Sequence, residues 1–289
     1  MVKPMLGLSL MLSNDFLKCT YPLFENGEVE ILEWSFDTKW GLEEFPAWAL
    51  DLLNNYSAEN RLLGHGVSLS LFSGNWTNHH ERWISLFEKE CKNRHYRQIS
   101  EHFGFITEKS SAPLPVPITD DLLSLSKERL KRVCGVMNSP IGIENLAFAF
   151  SRQDVFSQGR FLGELLEQVD GFLLLDLHNI YCQMANFNID ADQILNSYPL
   201  EQVIELHVSG GSWSTSSELD RRIRRDTHDN SVPPEVFNLL RMALRRCPNV
   251  ECVILERLGD SLGNSEESKQ FTADFRAIQA LINEVNYAR

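Results

Sequence analysis

The sequence predicts an α/β protein, a (β/α)8 TIM barrel, on three observations. Eight short, strongly apolar segments alternate with stretches of helical periodicity within 289 residues. Those segments are apolar along their length rather than alternating, as strands covered on both faces of a parallel barrel must be. No G-x-G-x-x-G follows the first of them, so the fingerprint of a dinucleotide-binding open sheet is missing. No shift in composition marks a linker, and residues 1–289 are read as a single domain.

The expected strands are "MLGLSLML" (5–12), "VEILEWSF" (29–36), "LLGHGVSLSL" (62–71), "RQISEHFGF" (97–105), "PIGIENLA" (140–147), "GFLLLDLHN" (171–179), "QVIELHVSG" (202–210) and "ECVILERLG" (251–259). Helices are expected between them. "FPAWALDLLNNY" follows the second strand, and "FLGELLEQV" precedes the sixth. "ITDDLLSLSKERLKRVCGVM" offers Thr119 as an N-cap. "PPEVFNLLRMALRRC" opens on prolines, tolerated in a first turn, and ends on arginines, which suit a helix C-terminus. "KQFTADFRAIQALINEVNYA" closes the chain, and "SSAPLPVP" (110–117) reads as a proline-stiffened loop.

Composition narrows the function. With 43% hydrophobic and 23% charged residues, the chain has the make-up of a soluble globular protein. No apolar run approaches the ~20 residues that cross a bilayer, and the N-terminal apolar stretch reads as a first strand rather than a signal peptide. The six cysteines contain no C-x-x-C pair, which points to a reducing compartment, the cytoplasm. A net charge of −13 disfavours nucleic acid as a partner. The basic cluster "RRIRR" (221–225) is read as a solvated helix face, with a contact to an acidic partner as the sharper reading.

The informative signal is where the polar groups fall. "GFLLLDLHN" runs through four apolar residues into Asp176, His178 and Asn179. Other strands do the same: His65 on the third, Glu101 and His102 on the fourth, Glu144 on the fifth, Glu205 and His207 on the seventh, Glu256 on the eighth. The loop "DTHD" adds Asp226 and His228. Strand C-terminal ends form the active mouth of such a barrel. A lone strand-end histidine is more often hydrogen-bonded core than ligand. Three carboxylates in one mouth, Glu144, Asp176 and Glu256, fit that reading poorly, because they repel unless cations neutralise them. Glu101 and Glu205 are read as facing away from the mouth, and Cys182 as packing. His79, His80 and His95 are read as surface-helix residues.

The candidate ligands are His65, His102, Glu144, Asp176, Asn179, His207, Asp226, His228 and Glu256. Oxygen and imidazole without thiolate suit iron, manganese or catalytic zinc. Nine donors exceed what one metal takes, so roughly two or three metals are expected. No G-x-S-x-G elbow, P-loop or kinase signature offers another chemistry.

The motifs "ISEHFGF", "LPVPIT", "IGIENLA", "GFLLLDLHNIY", "IELHVSGG", "RRDTHDNSVP" and "VILERLGD" stand in this order. In them the chain resembles the multinuclear non-haem iron-dependent oxidative enzymes, which include the enzyme that builds the copper-binding groups of methanobactin. The resemblance runs from His65 to Glu256. It implies a xylose-isomerase-like barrel holding two or three irons in mixed Fe(II)/Fe(III) valence, with O2 as co-substrate. It implies a ribosomally synthesised precursor peptide as substrate, modified at Cys or at Asp or Asn, and a separate protein that recognises the peptide leader. The same nine residues are the implied ligands. Glu144, Asp176, His207 and Glu256 would hold one iron; His65 and His102, sharing Glu144, a second; Asp226 and His228, with Asn179 close by, a third. His178 departs from the Asn or Ser common at that position. Three other readings compete. A sugar isomerase or epimerase on the same barrel needs a catalytic Lys or second base. A trinuclear zinc endonuclease needs a basic DNA face. A metal-binding scaffold would have no turnover.

Overall fold

A computed structural model describes residues 2–41, 45–106, 113–216 and 221–285. The strands are β1 (Met5–Ser9), β2 (Ile31–Trp34), β3 (Leu62–Gly66), β4 (Gln98–His102), β5 (Ile141–Glu144), β6 (Phe172–Asp176), β7 (Val203–Val208), β8 (Trp213–Ser216), β9 (Arg221–Arg224) and β10 (Cys252–Leu255). β1 to β7 and β10 close into a parallel barrel in the order β1-β10-β7-β6-β5-β4-β3-β2, as the alternation of apolar and helical segments predicts. β8 and β9 form an antiparallel hairpin in the connection between β7 and β10. The longer helices are α1 (Asn14–Glu25), α2 (Ala47–Ala58), α3 (Asn78–Asn93), α4 (Asp120–Cys134), α5 (Arg152–Leu166), α6 (Leu177–Phe187), α7 (Ala191–Leu195), α8 (Pro234–Arg246) and α9 (Ser265–Glu284). Thr119 caps α4 as expected, its hydroxyl accepting from Leu122 N. Among the described residues, no helix is long and apolar enough to cross a membrane.

The two-residue period of each strand sorts its side chains between barrel interior and helix layer. Leu32, Leu62, Ile143, Leu173 and Val253 point outward into the layer packed by helices. Ile31, Leu63, Cys252 and Ile254 form a separate small apolar cluster with Met5, a plug inside the barrel. Two residues further along the same strands the interior turns polar: Glu33 follows Ile31, His65 follows Leu63, and Glu256 follows Ile254. Strand register then sets these groups level with one another. His102 stands opposite Glu144, and Asp176 opposite His207.

Several expectations are corrected. The sixth strand stops at Asp176, because that side chain accepts from Asn179 N and caps α6; residues 177–179 are therefore helical. The "RRIRR" segment is not a helix face. Arg221–Arg224 is strand β9, and Arg224 is buried while Arg221 and Arg222 are exposed. His80 is buried, because its Nδ1 accepts from Thr77 N and completes the capping box of α3; His79 and His95 are exposed. Residues 110–112 of the expected loop lie outside the described residues, and Leu114 beyond them pairs with Phe105.

Inside the plug, β1 and β2 approach too closely for a side chain at Gly7: a Cβ there would lie 2.2 Å from the Ile31 carbonyl oxygen and 2.5 Å from its Cγ2. We expect Gly7→Ala to destabilise the barrel by about 1–3 kcal/mol, read as a lower denaturation midpoint. An unchanged midpoint would show that this strand pair is free to move apart.

Candidate metal centre

The mouth is built by one side chain from each of several strands, and each arrives by interior parity. His65 ends β3, His102 ends β4, Glu144 ends β5, Asp176 ends β6, and His207 lies near the end of β7. Glu256 directly follows β10. Asn179 reaches the same space from the first turn of α6, and its amide donates to Glu144 Oε1 at 3.3 Å. Asp226 and His228 come from the segment after the hairpin. His228 adopts a left-handed backbone, φ 50°, which turns its ring toward the barrel rather than along the chain.

Three groups of possible ligands share members: His65, His102 and Glu144; Glu144, Asp176 and His207; Asp176, His228 and Glu256. Glu144 and Asp176 link all three into one cluster. Glu144 Oε2 lies 3.5 Å from His65 Nε2 and 3.2 Å from His102 Nε2. Glu256 Oε2 lies 3.1 Å from His207 Nδ1. Asp226 Oδ1 lies 2.8 Å from His228 Nε2. The nine residues named from the sequence therefore meet at one end of the barrel. In this geometry Asp176 and Glu256 stand with His228, whereas the sequence reading grouped His228 with Asp226, and with Asn179 close by.

Proximity here is not hydrogen bonding. Glu144 Oε2, Asp176 Oδ2, Asn179 Oδ1, His207 Nδ1, His228 Nε2 and Glu256 Oε2 are all buried without a hydrogen-bond partner. Buried polar atoms are almost always paired, because an unpaired one forfeits its hydration. Six orphaned donor atoms facing a common space fit cations.

The far nitrogens of the rings are held. His65 Nδ1 shares a 2.7 Å hydrogen bond with Ser100 Oγ, and His102 Nδ1 donates to the Gly66 carbonyl at 3.1 Å. Each of these rings thus turns Nε2 toward Glu144. His178 does not enter the mouth. Arg224 Nε donates to its Nε2 at 3.1 Å, so its proton sits on Nδ1 and is donated to Asp226 Oδ1 at 3.0 Å. Glu101 does face away, its carboxylate accepting from His102 N on the Gly66 side of β4.

The electrostatics show the same unbalanced crowding. Burial raises Glu144 well above the usual carboxylate range, with Asp176 and Glu256 adding to the shift against His207. Burial and the Asp226 charge push Asp176 up to about 8. Burial opposes ionisation of Glu256 too, but His207 and His228 outweigh it and bring it down to about 2. Burial disfavours the charged forms of His207 and His228, yet Glu256 and Glu33 raise His207, and Asp226 and Glu256 raise His228. Burial and the neighbouring His102 keep His65 neutral. Protons thus do part of the neutralising that bound cations would do, and metal uptake would release them.

Two interior acids were missed or misplaced by sequence reasoning. Glu205 lies two residues before His207, not beside it, so it shares the inward face; its Oε1 is 3.5 Å from His207 Nε2. Glu33 is fully buried with Oε2 2.8 Å from the same nitrogen. The signal for Glu33 was available: a lone acid within "ILEW", in step with the inward Ile31.

We expect Glu144→Gln to reduce metal loading more than His178→Ala does. Glu144 stands between two ligand groups and supplies charge to both, whereas His178 acts through Asp226, a change that costs ~10–100-fold in affinity. Equal metal content in the two variants, measured by elemental analysis, would contradict this ranking.

Comparison with known proteins places the geometry. Solved structures of similar fold include D-psicose 3-epimerase from Clostridium cellulolyticum H10, at TM-score 0.57 and 12% identity over 96% of this chain and 97% of that one. A xylose isomerase domain protein from Salmonella typhimurium gives TM-score 0.59 and 13% identity over 97% and 98%. At such identities they show a xylose-isomerase-like barrel and nothing of its chemistry. The UPF0276 protein of Shewanella loihica is 28% identical over 184 residues, 63% of this chain and 64% of that protein. The UPF0276 protein of Acaryochloris marina is 27% identical over 206 residues, 70% and 72% of the two chains. That of Caulobacter vibrioides is 29% identical over 142 residues, 49% of each chain, so the match spans under two thirds of the Shewanella and Caulobacter proteins. The model of the RiPP precursor modification enzymes MbnB/TglH/ChrH matches residues 43–282, which span β3 to β10 and all nine candidate ligands, and the chain belongs to that family.

Proposed function

We propose that the protein is a multinuclear non-haem iron oxidase that uses O2 to modify a side chain, Cys first and Asp or Asn second, of a ribosomally synthesised precursor peptide. The observation that carries this reading is the set of six buried, unpartnered donor atoms meeting at the mouth of the barrel. His65, His102, Glu144, Asp176, Asn179, His207, Asp226, His228 and Glu256 would hold the irons. An oxygen- and imidazole-rich set without thiolate suits iron. Bound iron would supply O2 activation and the electron transfers of the oxidation.

The chain's own residues supply access and order. His65, Glu144, Asp176 and His207 are sealed from solvent, whereas the side chains of His102, Asp226 and His228 are about a fifth exposed. A peptide side chain would therefore enter between β4 and the segment after the hairpin. The buried side excludes water and keeps donor positions fixed before substrate arrives. A precursor peptide agrees with the family, and a separate protein would recognise its leader. The cytoplasm suits the six unpaired thiols. Residues 1–289 would act as one catalytic domain. The isomerase reading is weakened by the absence of any buried lysine among the described residues.

Protein purified anaerobically from iron-supplemented cells should carry about two or three irons per chain. A single zinc and no iron after reconstitution would overturn the reading. Asp226→Ala with His228→Ala should leave a cooperatively melting barrel that has lost about one metal per chain and most O2-dependent peptide turnover, because both residues lie outside the barrel strands. Normal turnover by this double variant would remove "DTHD" from the site.

A further inference from the structure

Glu33 lies one interior layer below the mouth and reaches the site through a single atom. Its Oε2 is 2.8 Å from His207 Nε2, and neither side chain has any exposure. The other nitrogen of that ring, Nδ1, faces Glu256 Oε2 at 3.1 Å and has no hydrogen-bond partner. A ring nitrogen that donates to a carboxylate carries the proton, so in the neutral imidazole that a metal binds the second nitrogen has the lone pair. Glu205 approaches the same Nε2 at 3.5 Å, and its other oxygen accepts from the Gln98 amide at 2.8 Å. Gln98 thus ties Glu205 to β4, and Glu33 holds the shorter contact.

We propose that Glu33 is the positioning residue for His207: it fixes the ring as the Nε2–H tautomer and aims Nδ1 at the metal beside Glu256. This rests on the reading of His207 as a ligand. The competing idea is that Glu33, Glu205 and His207 enclose a cation of their own, since their donor atoms lie close together. The 2.8 Å separation argues for a shared proton. The pair has the geometry of a hydrogen bond, which Asp226 Oδ1 and His228 Nε2, at the same distance, lack. His65 and His102 are held by a hydroxyl and a carbonyl, which are neutral partners. Among these three strand-borne histidines His207 alone is hydrogen-bonded to a carboxylate, which makes it the stronger donor of the three.

The test compares the full chain with Glu33→Gln and Glu33→Leu. Three measurements are made: anaerobic Fe(II) titration, thermal melting, and 15N imidazole spectra of the protein loaded with diamagnetic Zn(II). The wild type should show a slowly exchanging His207 Nε2–H and a metallated Nδ1. Glu33→Leu should lose the protected proton and bind Fe(II) ~10–100-fold more weakly, while still melting cooperatively. Glu33→Gln should fall between, because its amide oxygen can still accept from Nε2–H; it carries the test if the leucine variant does not fold. Wild-type Fe(II) affinity with an unchanged His207 spectrum in both variants overturns the proposal. So does loss of a whole metal equivalent from Glu33→Gln at saturating Fe(II), which would make Glu33 a ligand. Weakened binding in the variants alongside a wild type that binds iron but oxidises no peptide would sink the oxidase reading and leave the role of Glu33 standing.

Discussion

Carboxylates gathered inside a closed parallel barrel repel one another, and the rest of this structure is arranged around that repulsion. Glu144, Asp176 and Glu256 meet where no water reaches them, with Asp226 at the rim. Desolvation alone would keep buried acids neutral. The chain instead surrounds them with imidazoles, leaving several donor atoms without partners. Such an arrangement is unfavourable for the bare protein, because each orphaned atom has surrendered hydration for nothing. It becomes favourable once cations occupy the space. Stability has been exchanged for a site already shaped to take metal ions.

The barrel makes this possible because its strands alternate with a period of two. The apolar plug of Ile31, Leu63, Cys252 and Ile254 fills the lower interior, and the next inward position on the same strands is polar. An open sheet would set such residues in a row along an edge. Closure places them in a ring, where register decides which stand level. His102 opposite Glu144 and Asp176 opposite His207 follow from the pairing of β4 with β5 and of β6 with β7. The candidate metal centre is thus a consequence of strand pairing before it is a matter of side-chain choice.

Much of this was legible in the residues. Apolar runs ending in His or acid named both the strands and their functional ends, since a buried run gives a polar residue only one favourable place to go. What failed was local. The sixth strand appeared to continue to Asn179, because "DLHN" carries no helix breaker or glycine; Asp176 as an N-cap is visible only when its carboxylate is seen to accept from Asn179 N. The "RRIRR" cluster has too few apolar residues to show the strand period, and its conformation is set by pairing with Trp213–Ser216. Glu205 was misplaced through its spacing from His207, although a separation of two already puts both on one face. Glu33 was passed over because the second strand ends in no histidine or acid at its mouth, although its step of two from Ile31 was readable.

The hairpin gives the last link between distant parts of the chain and the centre. Arg224 is held from both sides by Asn186, which accepts from its backbone N–H and donates to its carbonyl. Its guanidinium lies over the rings of Tyr181 and Trp213 and donates to His178. That donation fixes the His178 proton on Nδ1, where it binds Asp226. An arginine on β9 therefore orients a rim carboxylate through a histidine on α6. Gly211 makes the fit possible, since a Cβ there would lie 2.7 Å from the His178 ring. Strands fix the sealed half of the site by register, and a hydrogen-bonded chain fixes the open half. The open half is the one the proposed peptide would approach, and it is the half whose geometry depends on Arg224, buried where the hairpin meets α6.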